Sequence, residues 1–187
     1  MKQRAEAVVF GTIALCAVIV ALAVAAAHGI AGPRLNLTAS MPIGLYLYTP
    51  GAVKRGDIVQ VCLPPQLAAF SLTQKMDYPV VGPCASGAAP LVKVLAAVPG
   101  DVVAVNERAL LVNGKPWPMS RIRSIDARGR RVTMRLAPGA FRLAPAHVLL
   151  LGLHPDSWDG RYFGALPSSA VTGRWIPLLV ARQKDRL

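Results

Sequence analysis

Pro90-Leu-Val-Lys-Val-Leu-Ala-Ala-Val-Pro-Gly-Asp101 decides how this chain is read. Val, Leu and Ala fill positions 91–98 apart from Lys93, and Pro99-Gly100-Asp101 supplies a turn, so the run is a strand rather than a helix. Leu91 and Leu95 share a face with Lys93, while Val92, Val94 and Ala96 take the other. Neither side is solvated, as in a strand covered on both faces. Desolvation disfavours the charged form of a lysine, so Lys93 is a candidate neutral amine able to accept a proton.

The same reading extends outward. Leu45 to Thr49, Asp57 to Leu63, Leu91 to Val98, Asp101 to Val105, Ala109 to Asn113, Arg131 to Leu136, His147 to Leu151 and Ala170 to Ile176 are short runs rich in Val, Leu, Ile or Tyr. Pro50-Gly51, Arg55-Gly56-Asp57, Asn113-Gly114 and Arg128-Gly129 provide turns between them. Only Gln66 to Met76 reads as a helix, and the Pro/Gly/Ala stretch Val81 to Pro90 reads as a loop. The expected fold class is mainly β.

The 187 residues allow one anchored domain. Apolar residues make up 53% and charged ones 16%, which points to a membrane segment. Ala7 to Pro33 contains no Asp, Glu, Lys or Arg, and Val8 to Ala27 matches the about 20 apolar residues that cross a bilayer as a helix. The expected domains are therefore 1–33, a cytoplasmic tip and transmembrane anchor, and 34–187, an extracytoplasmic β domain. Lys2 and Arg4 before Ala25-Ala26-Ala27 also fit a cleaved signal peptide, but the apolar core exceeds the ~7–15 residues usual there. The basic leader keeps the N-terminus in the cytoplasm, which places the domain outside, periplasmic and held at the inner membrane.

An oxidising compartment permits a disulfide between Cys62 and Cys84, while Cys16 falls in the apolar segment. These cysteines lack the partners of a metal site, and none is expected. The formal net charge of +12 is spread among Pro, Gly and short apolar runs without a nucleic-acid motif, so the expected partners are an anionic membrane surface or acidic proteins rather than nucleic acid.

A base needs a nucleophile, and the candidate is Ser40 in Thr38-Ala39-Ser40-Met41-Pro42-Ile43-Gly44-Leu45. Taken alone, Ser40 also fits an N-cap or turn serine ahead of Pro42. Three stretches together resemble the type I signal peptidases: Ser40-Met41-Pro42 their nucleophile box, Lys93 with Val98-Pro99-Gly100-Asp101 their lysine box, and Ser157-Trp-Asp159-Gly-Arg161-Tyr-Phe-Gly164 their C-terminal box. Order and rough spacing agree, and the resemblance is strongest to the short conjugal-transfer maturation proteases of the TraF type.

The resemblance implies a signal-peptidase-like β domain with one N-terminal transmembrane helix and a Ser40/Lys93 dyad. Thr38 would assist the oxyanion, the Ser157 hydroxyl would bond Lys93, and Asp159 with Arg161 would brace the site. It also implies a membrane-anchored serine endopeptidase without a cofactor. The substrate would be a conjugative pilin precursor or similar exported protein, cleaved with or without cyclisation by acyl transfer, alongside the conjugative secretion machinery. Met41, Pro42 and Ile43 would offer apolar contact to that substrate or to the bilayer. The chain departs from the family pattern at Val94, usually Arg, and at Gly160, usually Ser. Leu151-Gly152-Leu153-His154 lacks the Gly-Asp-Asn of the housekeeping enzymes, which favours the conjugal-transfer branch over a general signal peptidase. Two rivals stand beside this reading: a Ser-His-Asp triad built on His154 with Asp156 or Asp159, and a non-enzymatic, membrane-tethered assembly protein.

Overall fold

The computed structural model describes residues 2–27, 31–73, 81–106, 108–126, 128–136 and 138–181. A helix, α1 (Lys2–Ala27), precedes a body of eleven strands among the described residues, all paired antiparallel. Seven form one sheet in the order β1 (Gly32–Asn36), β2 (Gly44–Pro50), β11 (Val171–Val180), β3 (Ile58–Val61), β4 (Leu91–Ala97), β9 (His147–Leu151), β10 (Leu166–Pro167). The other four form a smaller sheet in the order β7 (Lys115–Pro116), β6 (Leu110–Val112), β5 (Val102–Val105), β8 (Gly139–Arg142). Two further helices are α2 (Pro65–Thr73) and α3 (Gly160–Phe163).

Strands β4 and β9 serve two cores at once. Leu91, Leu95 and Leu150 face one apolar cluster with Val59, Val61, Trp158, Tyr162 and Phe163. Ala96, Ala97, Leu149 and Leu151 face another with Val103, Val105, Leu110 and Val112 from the smaller sheet. A strand packed on both sides cannot afford alternating polarity, which is why 91–98 reads as an unbroken apolar run. Lys93 interrupts that run on the face of Leu91 and Leu95, directly across from the fully buried Val59.

The mainly β expectation is correct, and six of the eight expected strands have their counterparts within a residue or two. The exceptions are informative. Arg131 to Leu136 is irregular, holding only an isolated bridge from Arg131 to Ile125. Val132 and Leu136 are buried in the two cores, one each, but the stretch reaches them without a neighbouring strand to pair with. Strand β11 runs on past Ile176 because Pro177 sits where the ladder shifts register, a position that tolerates a missing N–H. The expected helix from Gln66 forms as α2, and its expected end at Met76 lies outside the described residues.

The transmembrane expectation needs correction: among the described residues no helix is long and apolar enough to cross a membrane. Helix α1 is made largely of Ala, Val, Ile and Leu. Phe10, Ile13, Leu15, Ile19 and Val24 along it are all exposed.

Candidate active site

The site grows from the place where β9 ends beside β4. Val94 pairs with Leu151, so the next residue of β9's chain, Gly152, leaves the sheet alongside Lys93. Three neighbours converge on it. The Gly152 N–H donates to Asp159 Oδ2 at 2.7 Å, and the following Leu153 N–H donates to the Ser40 carbonyl at 2.8 Å. A Cβ at Gly152 would lie 2.1 Å from Ser157 Oγ and 3.2 Å from the Ser40 oxygen. Only glycine fits there. Trp117 Nε1 reaches the Gly152 carbonyl at 3.4 Å.

Lys93 is 2% exposed, so its amine has little water to hydrate a charge. Burial pulls it down from the ordinary 10.5 to about 8, with Asp159 pulling it back up and Arg161 pushing it further down. That order of effects settles which one wins: the strand's dryness outweighs the nearby carboxylate. Asp159 does not belong to Lys93 alone, because Arg161 competes for it.

Asp159 caps α3, accepting from the Arg161 N–H, and it also takes Arg161 Nε and one terminal nitrogen at 2.9 Å each. The rest of the guanidinium reaches the carbonyls of Met119, Pro155, His154 and Ser157 at 2.9–3.1 Å. Each charge is thus paired and hydrogen-bonded without water. The structure buries both partners completely. Just ahead of them Trp158 enters the core, stacked on Tyr162 at 5.3 Å and donating to Ser71 Oγ of α2 at 2.8 Å. The box therefore fixes the site and fills the core with alternate residues.

Ser40 lies in the turn between β1 and β2 and is 9% exposed. Gly44 anchors the far end of this turn, where a Cβ would meet the Leu179 carbonyl at 2.2 Å. Tyr46 OH donates to the Pro42 carbonyl at 2.6 Å, and burial raises the Tyr46 pKa, keeping its proton in that bond. Thr38 is exposed, and its hydroxyl donates to Asn36 Oδ1 at 2.8 Å.

Three expectations change here. Ser157 Oγ is buried without a hydrogen-bond partner, so the expected bond to Lys93 is not made, although the hydroxyl sits at Gly152 beside that strand. Met41 is fully buried and offers nothing to a substrate or bilayer, whereas Ile43 is exposed. No Ser-His-Asp chain forms: His154 Nδ1 accepts from the Asp156 N–H, Asp156 pairs with Arg123, and Asp159 is filled by Gly152 and Arg161. The expected Cys62–Cys84 bridge is present, with Cα atoms 5.5 Å apart, and it ties the end of β3 to the loop ahead of β4.

Asn36 and Trp117 escaped the reading of the sequence. For Asn36 a local signal existed, since an Asn at the end of a strand commonly bonds the backbone two residues on. For Trp117 there was none.

Known proteins resemble this chain over most of its length. Residues 4–179 match the family model for signal peptidase, peptidase S26. The Plasmid transfer protein TraF of Escherichia coli is 36% identical over 160 residues, 85% of this chain and 89% of that one. The Conjugal transfer protein TraF of Agrobacterium tumefaciens (strain 15955) is 37% identical over 155 residues, 81% of this chain and 83% of that one. A crystal structure of a signal peptidase I from Enterococcus faecalis V583 aligns with 67% of this chain and 98% of its own, at 18% identity and a TM-score of 0.39. With its three boxes gathered at one end of a β domain and its match running nearly from end to end, the chain belongs to the signal peptidase family, peptidase S26.

Proposed function

We propose that this protein is a serine endopeptidase with a Ser40/Lys93 dyad that processes an exported protein of a conjugative system, a pilin precursor above all. The observation that carries the reading is a buried lysine with a pKa lowered to about 8, on the strand next to the chain turn that holds the Ser40 carbonyl. A purely structural β protein gains nothing from an ionisable amine in a dry strand.

Lys93 takes the Ser40 proton, Ser40 Oγ attacks the scissile carbonyl, and the amine of the leaving segment departs with a proton returned from Lys93. The Ser40 N–H and a reoriented Thr38 hydroxyl hold the oxyanion. Water then releases a linear product, or the substrate's own amino terminus takes the acyl group and closes a ring. Asp159 and Arg161 brace the loop that carries Ser157 and Gly152 against the base. The names of the relatives, plasmid and conjugal transfer proteins, support the choice of substrate.

The domain works on the periplasmic side of the inner membrane. The Cys62–Cys84 bridge fits an oxidising compartment, and the exposed apolar side chains of α1 call for an apolar cover. Mass spectrometry of the pilin precursor incubated with wild type and Ser40→Ala tests the reading. Wild type cuts the precursor, the product mass tells linear from circular by one water, and Ser40→Ala leaves it whole. Equal turnover by the two proteins would overturn the assignment.

A further inference from the structure

We infer that Asn36 is the positioning residue of the nucleophile turn, holding Ser40 in place and keeping the Thr38 hydroxyl in reserve until a carbonyl arrives. The inference rests on the Ser40 reading above and adds a residue to it.

Asn36 closes β1, paired with Gly44 across the turn that carries Ser40, and is 5% exposed. Its side chain does nearly all that an amide can. Nδ2 donates to the carbonyls of Thr38, Met41 and Pro42 at 3.0, 3.1 and 3.0 Å, on both sides of Ser40. Oδ1 accepts from the Thr38 N–H at 3.1 Å and from its hydroxyl at 2.8 Å. A turn of residues 37–43 has few backbone partners of its own, and one buried amide replaces the missing ladder. The Ser40 carbonyl is held from the other side by Leu153 N–H. Asn36 and Leu153, just past β9, therefore grip the turn on either side of Ser40.

The Thr38 hydroxyl carries one proton, and it is spent on Asn36 Oδ1. Oxyanion donation requires that proton to turn away from Asn36, by rotation about the Cβ–Oγ bond or about χ1. Asn36 tolerates the loss, because Oδ1 keeps the Thr38 N–H and no buried group is orphaned. The exchange gives up one bond and gains one as the tetrahedral oxygen forms, which suits an interaction made only in the transition state. An aspartate cannot substitute: its second oxygen would face three carbonyl oxygens where Nδ2 now donates.

The test compares kcat and KM on the precursor for wild type, Asn36→Ala, Asn36→Asp, Thr38→Val and the Asn36→Ala/Thr38→Val pair, all in the full chain, with Ser40→Ala alongside. Tryptophan fluorescence and an intact Cys62–Cys84 bond identify folded protein. A misplaced nucleophile costs on the order of 100-fold, so folded Asn36→Ala loses about that much kcat while KM changes little. The pair loses far less than the product of the single losses, a coupling that a residue important only for folding would not produce. Asn36→Asp, whose second oxygen repels the three carbonyls, loses at least as much kcat where it folds; if neither Asn36 variant folds, Thr38→Val, which deletes only an exposed hydroxyl, must lower kcat, and wild-type kcat there overturns the inference. Wild-type kcat in either folded variant, or strict multiplicativity with Thr38→Val, overturns the inference while leaving Ser40 untouched. Activity in Ser40→Ala overturns the nucleophile reading and this inference together.

Discussion

The carboxylate of Asp159 and the guanidinium of Arg161 meet through two hydrogen bonds of 2.9 Å, with both side chains shut away from water. Burial holds the Lys93 amine low, Asp159 raises it less than burial lowers it, and Arg161 adds to the lowering. Were Asp159 unpaired it would raise the Lys93 pKa far more effectively, and the base would be locked in its charged form.

Asp159→Asn should separate these effects. The variant leaves Arg161 buried without a counter-charge, which costs about 3–5 kcal/mol, and thermal unfolding measures it. In whatever folded protein remains, Lys93 has lost the group that raises it, so the pH-rate curve shifts to lower pH.

Lys93→Met tests the cost of the base. A lysine lowered from 10.5 to about 8 favours the neutral form in the fold by on the order of 3 kcal/mol. The sign follows from linkage: the folded pKa is depressed, so the penalty is absent above pH 10.5, grows as pH falls towards 8, and is full below that. The variant should therefore be inactive and more stable than wild type at pH 6–7, with the difference vanishing near pH 11. Denaturant unfolding at both pH values checks it, and equal stability at pH 6.5 would contradict it.

Gly152→Ala should lose activity and roughly 1–3 kcal/mol of stability, because its methyl lands 2.1 Å from Ser157 Oγ and 2.5 Å from Ser157 Cβ. Ser157→Gly in the same chain removes both atoms, leaving only the Ser40 carbonyl at 3.2 Å, and should restore most of the stability. Melting curves of the two variants and wild type distinguish a clash with Ser157 from a general intolerance of side chains.

Reducing the Cys62–Cys84 bond frees a loop with a sequence separation of 22. Loop-entropy arithmetic gives about 3 kcal/mol. The effect should reach the site, since Ser71 in that loop accepts from Trp158, the neighbour of Ser157 and Asp159. Activity and tryptophan emission should change together on titration with dithiothreitol.

Much of this was legible in the chain because strong local rules coincide with tertiary demands. The apolar run around Lys93 can only be a strand covered twice, and the burial of Leu91, Leu95 and Ala97 agrees. The turn at Asn113-Gly114 follows from the residues that tolerate its backbone. What stayed hidden depends on non-local partners. Strand β1 is short and carries Pro33 and Arg34, so its pairing with Tyr46 to Tyr48 exists only because β2 needs an edge. Strand β8, Gly139–Arg142, has a weak pattern and is made by its ladder to Val102–Val105. The orphaned Ser157 hydroxyl and the shared allegiance of Asp159 are matters of ångströms that no spacing encodes.

The rate of precursor cleavage by Lys93→Arg, measured against wild type from pH 6 to 10, bears most directly on the base. Arginine keeps the charge but does not give up its proton in this range. Wild-type activity should rise through about pH 8, following the amine as it loses its proton, while folded Lys93→Arg stays inactive across the range. Substantial cleavage by Lys93→Arg at any of these pH values would contradict the Ser40/Lys93 mechanism.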